Sequence, residues 1–219
     1  MVSAVPAVRT TVAADAHTAM QADPAPNEES ARLHAALGDA MGSVTEAERV
    51  VDESSASVDL ASLLKPENLG SAAGRRSLLG MLERAEEISN LRRQVAAENL
   101  ERVRSAALAA PVAPTVTQDF LQAFDAHATR SLRAADQLHE MEAQSIATAR
   151  HMIAFMEQNQ SRYHLRGDSL TFTSQGMQVQ YMHYLAQVGQ MLQRQTRAQG
   201  LAVAARQDQA QLVESLAGG

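Results

Sequence analysis

The chain of 219 residues contains no cysteine and no tryptophan, and its seven aromatic side chains are four Phe and three Tyr. Without cysteine there are no disulfides, thiolate metal sites, Cys nucleophiles or Cys-linked lipids. With so few aromatics the apolar fraction of 45% is carried mostly by 41 Ala. Burying a methyl group removes far less surface from water than burying Leu or Phe, so a deep globular core is not expected. Positive charge is also short. A net charge of -6 and a pI near 5.6 disfavour a general nucleic-acid binder, and no basic cluster with interleaved aromatics occurs. The first twenty residues lack a basic start followed by a sustained apolar run, so no secretory signal is read there, and no apolar run is long enough to span a membrane. What is abundant is Ala, with Gln, Arg, Glu, Leu and Met, while β-branched residues are sparse. These are the strongest helix formers, and the expected fold class is all-α with elongated helices.

The length allows one or two modest domains. Residues 1–27 mix small residues, Thr and three prolines, and read as a disordered arm. From Glu28 to about Val58 a helical pattern runs through Leu33, Leu37, Met41, Val44 and Val51, weakened by Gly38 and Gly42. Leu63 to Arg76 reads as a connector. A helix from Ser77 to Ala107 follows, with Met81, Ala85, Ile88, Leu91 and Val95 as its stripe and Arg92 among the charges of its solvated face. Ala106 to Thr115 breaks the pattern with two prolines, and the composition changes there. All seven aromatics lie beyond Pro111, and the net charge is -5 before it and -1 after it. The expected division is therefore the arm 1–27, a helical extension 28–110 and an antiparallel helical hairpin 111–219. In the hairpin one helix runs from Gln118 to about Gln158, with Thr117 as its cap. A polar loop around Gly167 leads to a last helix from about Ser169 to Leu216.

No constellation of catalytic type emerges. The seven His include no i, i+4 pair, and His127, His139 and His151, spaced by twelve, are too far apart for one metal ion. Neighbouring carboxylates such as Glu140 with Glu142 read as solvated helix charges. Arg166-Gly167-Asp168 reads as turn chemistry, although some adhesion receptors recognise that tripeptide on a loop tip. The most informative stretch is Ser169 to Gln193, 25 residues without Asp, Glu, Lys or Arg and rich in Gln. Met177, Tyr181, Leu185, Val188 and Leu192 form one stripe, while Val179, Met182, Tyr184 and Met191 place apolar groups on other faces. Such a helix suits contact with several neighbours, or the centre of a monomeric bundle, and the sequence leaves both open.

Ser174-Gln175-Gly176-Met177 with Tyr181 and Tyr184, followed by Leu185, Val188 and Leu192, resembles the C-terminal helix of the inner rod proteins of bacterial type III secretion systems. Pro114-Thr115, Phe120 and Phe124-Asp125-Ala126 are similar to a short segment of some members, and Leu212-Val213-Glu214-Ser215-Leu216 is similar to the family's tail, set farther downstream. The likeness covers roughly Pro111 to Gly219. It implies a structural subunit without catalysis, cofactor, metal or small-molecule substrate. Such a subunit is cytoplasmic before export through the apparatus to the cell envelope, which makes the arm 1–27 a candidate uncleaved export signal, and in the envelope it assembles helically with other copies and other apparatus subunits. The interface expected on this basis is Met177, Tyr181, Tyr184, Leu185, Val188 and Leu192, with Phe120 and Phe124 on the other arm. The alternative is an exported effector or coiled-coil adaptor of the same system that binds a helical partner or chaperone through the Ser77 to Ala107 helix. A membrane-surface coat would need basic residues flanking the apolar face, which are missing.

Overall fold

The structure, a computed structural model, describes residues 28–218; the arm expected over 1–27 lies outside the described residues. The elements are α1 (Glu28–Ala56), a 3-10 turn (Leu60–Leu64), α2 (Pro66–Gly70), α3 (Ala72–Ala109), α4 (Pro114–Gln158), a second 3-10 turn (Gln160–Arg162), β1 (Tyr163–Arg166), β2 (Ser169–Phe172) and α5 (Gln175–Gly218). The class is all-α with long helices, as composition predicts. At 45 residues α4 extends over about 67 Å, given a rise of ~1.5 Å per residue.

The four long helices run up, down, up and down, each packed on the next, and α5 returns against α1 to close a four-helix bundle. At one end Leu33 and Leu37 of α1 meet Leu100, Val103 and Ala107 of α3, Phe120 and Phe124 of α4, and Val213 of α5. At the other end Leu78 and Leu82 of α3 meet Met152, Ile153 and Met156 of α4 and Met177, Tyr181 and Val188 of α5. There α1 has already ended, and Leu63 and Leu69 from the 3-10 turn and α2 supply the fourth wall. The α4–α5 hairpin is antiparallel as expected. Both cores nevertheless draw residues from either side of Pro111, so 28–110 is half of the same bundle and does not stand apart as an extension. Ion pairs on the α3–α4 seam fix the antiparallel register: Glu86 with Arg150, Arg92 with Glu142, Arg93 with Asp136 and Arg104 with Asp125.

Several boundaries differ from the sequence reading, each for a local reason. The connector 63–76 contains α2, because Pro66 occupies the first helical turn, where its missing N–H costs nothing. Helix α3 then starts at Ala72, six residues after Pro66, with Ser71 Oγ accepting from the Gly74 backbone N–H at 3.0 Å. Only glycine fits position 74: a Cβ there would lie 2.3 Å from the Asn68 carbonyl oxygen. Helix α4 starts at Pro114, by the same use of proline in the first turn, and Thr117 is already inside it.

The polar loop after α4 is a β-hairpin. Tyr163 pairs with Phe172 and Leu165 with Leu170, so the four apolar side chains share one face, which lies over α2 and the start of α5. Phe172 links Tyr163 (centroids 6.0 Å) to Tyr181 (5.0 Å). Gly167 has φ +57° and Asp168 does not have positive φ, the pattern of a two-residue II′ turn. Helix α5 consequently begins at Gln175, with Ser174 Oγ accepting from the Met177 N–H at 3.4 Å, later than the Ser169 start expected.

Candidate functional site

The eight residues expected to form an assembly interface all lie against this chain's own core. Phe120 and Phe124 are buried and stacked, with centroids 5.6 Å apart. Met177, Tyr181 and Val188 are buried, and Tyr184, Leu185 and Leu192 are half-buried against the same cluster. The stripe of α5 is thus covered by α4 and by the 60–70 segment, and α1 and α3 complete the bundle around it. What α5 leaves outside is the other set: Val179 is 62% and Met182 56% exposed, one turn apart, with Gln178, Gln180, Ala186 and Gln190 also exposed along the uncharged run.

Between the two apolar cores the bundle has a polar waist. On α3 the face turned inward is Leu78, Leu82, Ala85, Ser89, Arg92, Ala96, Asn99, Val103 and Ala107, at steps of four and three that alternate as far as Val103 and end on a second step of four. The stripe read through Met81, Ile88 and Leu91 flanks this face, and Leu91 is exposed. On α4, Glu142 falls in step with Leu138, Ser145, Ala149 and Met152. Arg92 and Glu142, read from sequence as solvated charges, therefore face each other across the seam, with side chains 16% and 9% exposed.

Arg92 donates to Glu142 Oε1 and, at 2.7 Å, to Ser55 Oγ near the end of α1. Glu142 Oε2, the Gln195 Oε1 of α5 and the Asn99 Nδ2 are buried without a partner among the described residues. Each such group forfeits about 1–3 kcal/mol of hydration. Two cavities flank Arg92. One, of about 110 Å³, lies toward the Phe120 end beside Glu48, Asn99, Leu138 and Arg206. The other, of about 330 Å³, lies where α1 stops, among Ser55, Leu60, Ile88, Glu142, Leu192 and Gln195. Glu48 and Arg206 approach to 3.9 Å between α1 and α5; burial pushes the Glu48 carboxyl above its ordinary value, against the pull of Arg206.

Ser89 Oγ lies 3.0 Å from His139 Nδ1, a serine–imidazole contact of the kind hydrolases use. Here it joins two helices. Ser89 is buried mid-helix, where the surrounding backbone N–H groups are committed to the helix. Among the described residues no group of three or more His, Asp or Glu could hold a metal ion, and no helix is long and apolar enough to cross a membrane.

The sequence reading missed Ser55, Ser89, Arg92, Asn99, Glu142 and Gln195. The available signal was the unbroken four–three step on α3, which continues through Ser89, Arg92 and Asn99 when polarity is disregarded. No protein-family model, curated protein or solved structure matches this chain.

Proposed function

We propose that this protein is a non-catalytic helical-bundle subunit of a bacterial type III secretion apparatus, inner-rod-like in its C-terminal half, and that it meets its neighbours through the outward face of α5. The observation that carries the reading is the exposed, ion-free strip on that helix around Val179 and Met182, within a run lacking Asp, Glu, Lys and Arg from Ser169 to Gln193. Apolar side chains gain on leaving water, and the Gln amides beside them pair without the desolvation cost of an ion. A single strip offered to a different surface on the next copy makes a heterologous contact, which propagates as a helix. The inward stripe of α5 holds the monomer together before assembly. Export, which the resemblance implies, favours a chain that unfolds readily, and a waist with cavities and unpaired polar groups opens at lower cost than a fully packed one.

The rival role, an effector or adaptor using α3, has less support. The apolar face of α3 is consumed by α1 and α4, leaving Leu91 and Leu108 as separate exposed side chains.

The test compares the full chain with a V179D/M182D variant by light scattering from about 10 µM to about 1 mM. The parent self-associates with concentration, and the variant keeps its circular dichroism and melting midpoint but stays monomeric. A parent chain that remains solitary across that range refutes the proposal. Leu185→Asp with Val188→Asp is a different perturbation: Val188 is sealed in the core, so that pair unfolds the bundle and cannot separate assembly from folding.

A further inference from the structure

Arg75 stands one step of three before Leu78 on the inward face of α3, so the packing that buries Leu78 takes the guanidinium with it, and the residue is only 5% exposed. Its Nη1 donates to the Leu69 carbonyl of α2 at 2.9 Å and to the Tyr163 hydroxyl of β1 at 2.6 Å. Both acceptors are neutral. No carboxylate among the described residues lies within ion-pair reach of Arg75, whereas Arg92, the other deeply held guanidinium, has Glu142. Two bonds use both hydrogens of Nη1, and the edge formed by Nε and Nη2 has no acceptor among the described residues. That edge is not sealed. The side-chain atoms closed off from solvent without a partner belong to Asn99, Glu142, Tyr181 and Gln195, and none belongs to Arg75. Burial strips a cation of its hydration, and only an opposite charge with good hydrogen bonds offsets that loss.

Arg75 lines an open hollow of about 440 Å³ between the start of α3 and the β-hairpin, together with Gly70, Ala72, Gln160, Ser161 and Tyr163, and no Asp or Glu lines it. Ala72 begins α3, a helix of 38 residues, whose first N–H groups carry partial positive charge. Burial holds the Tyr163 phenol above its ordinary pKa, so it keeps a hydrogen to donate while it accepts from Arg75. Gln160 and Ser161, both exposed, bring an amide and a hydroxyl to the rim. From this we propose that the hollow binds a carboxylate, whose two oxygens lie side by side on the Nε–Nη2 edge of Arg75. A monoanion suits it better than a phosphate dianion. Arg75 supplies one positive charge, and Glu157, exposed and outside ion-pair reach, already makes the field at Tyr163 more negative. The site uses none of the residues of the outward strip of α5 and does not depend on it.

Sodium acetate, phosphate and chloride at equal ionic strength serve as probes in thermal unfolding of the full chain, and the Arg75 Nε–H resonance is followed by NMR. For a Kd of about 10 mM, about 100 mM acetate raises the midpoint by about 3–6 °C over chloride. The Arg75 resonance moves saturably with acetate and stays in place with chloride. Gln160→Glu sets a fixed carboxylate on the exposed rim without touching the core, and is expected to cut the acetate shift by at least half. Arg166→Gln, at the exposed hairpin tip, keeps the parent shift. Phosphate also stabilises by exclusion from the surface, equally in parent and Q160E, so its part at the site is the difference between the two. An Arg75 that only ties α2 to β1 predicts an unmoved resonance and an acetate midpoint equal to that in chloride, and either result overturns the proposal. An acetate shift undiminished in Q160E, or lost in R166Q, overturns the location. A phosphate difference larger than the acetate one overturns the carboxylate assignment.

Discussion

Replacing Arg92 by Met removes the cation of the waist while keeping most of the side-chain volume. In the folded chain this strips Glu142 Oε1 of its donor, and Oε2 has no partner among the described residues already, so a nearly buried carboxylate is left with neither oxygen bonded to them. Breaking a buried pair from one side costs about 3–5 kcal/mol. The adjoining cavity gives water a route to Glu142, which brings the expectation to about 2–3 kcal/mol. In a bundle of about 190 residues each kcal/mol moves the midpoint by ~2–4 °C, so R92M should melt about 5–10 °C lower. The R92M/E142L double variant removes both ions and extends the apolar cores toward each other. Its stability should return to within about 1 kcal/mol of the parent or exceed it, a coupling of about 2–3 kcal/mol. Urea unfolding followed by far-UV circular dichroism measures the cycle, with an unchanged m-value certifying that the denatured state is comparable. An R92M variant within ~0.5 kcal/mol of the parent, or a double variant no better than the single, would refute the description of the waist as desolvated.

Three further outcomes follow from individual side chains. Burial pushes the Tyr181 phenol above its ordinary pKa, and its hydroxyl is buried without a partner among the described residues, so Tyr181→Phe should be neutral or stabilising by about 1 kcal/mol; a loss of about 1 kcal/mol or more would mean the hydroxyl is bonded. Glu48 has its folded pKa raised, so the folded chain holds the proton more tightly than the unfolded chain, and the stability this contributes is present below about 4.5 and lost as pH rises through the folded value. Glu48→Gln should therefore be more stable than the parent at neutral pH, with the gap closing as pH falls through the folded value toward 4.5 in urea titrations; a gap independent of pH sinks the assignment. Gly74→Ala should cost more than about 2 kcal/mol, since its Cβ would sit 2.3 Å from the Asn68 oxygen, whereas Gly80→Ala on the same helix meets nothing within 4 Å and should gain roughly 0.5–1 kcal/mol in the same melts.

The helices were legible because each carries apolar residues every three or four positions, while their starts were not: Pro66, Ser71 and Pro114 were read as connector or break and Ser174 as helix interior, although they stand at the starts of α2, α3, α4 and α5. The hairpin 163–172 was obscured because alternation over four residues per strand is too short to stand out among polar neighbours, and it is the contact with α2 and Tyr181 that makes those strands worth forming. The waist was obscured for a different reason. Ser89, Arg92, Asn99 and Glu142 occupy inward positions, and a reading that sorts residues by polarity assigns them to water. Only the pairing of α3 with α4 supplies the partner that lets an arginine and a glutamate sit there.

From sequence alone came the helical class, the long helices, the turn of the chain near Pro111 and the antiparallel relation of the last two helices, all consequences of interactions between residues close along the chain. The tertiary structure decided which faces are spent inside. An apolar stripe on α5 has the same spacing whether its cover is another copy or the same chain. The cover here is α4 and the 60–70 segment, in a bundle that α1 and α3 complete, which leaves Val179 and Met182, and not the Tyr181 stripe, facing outward. Periodicity records that a surface must be dry, and only the packing of distant segments determines what dries it.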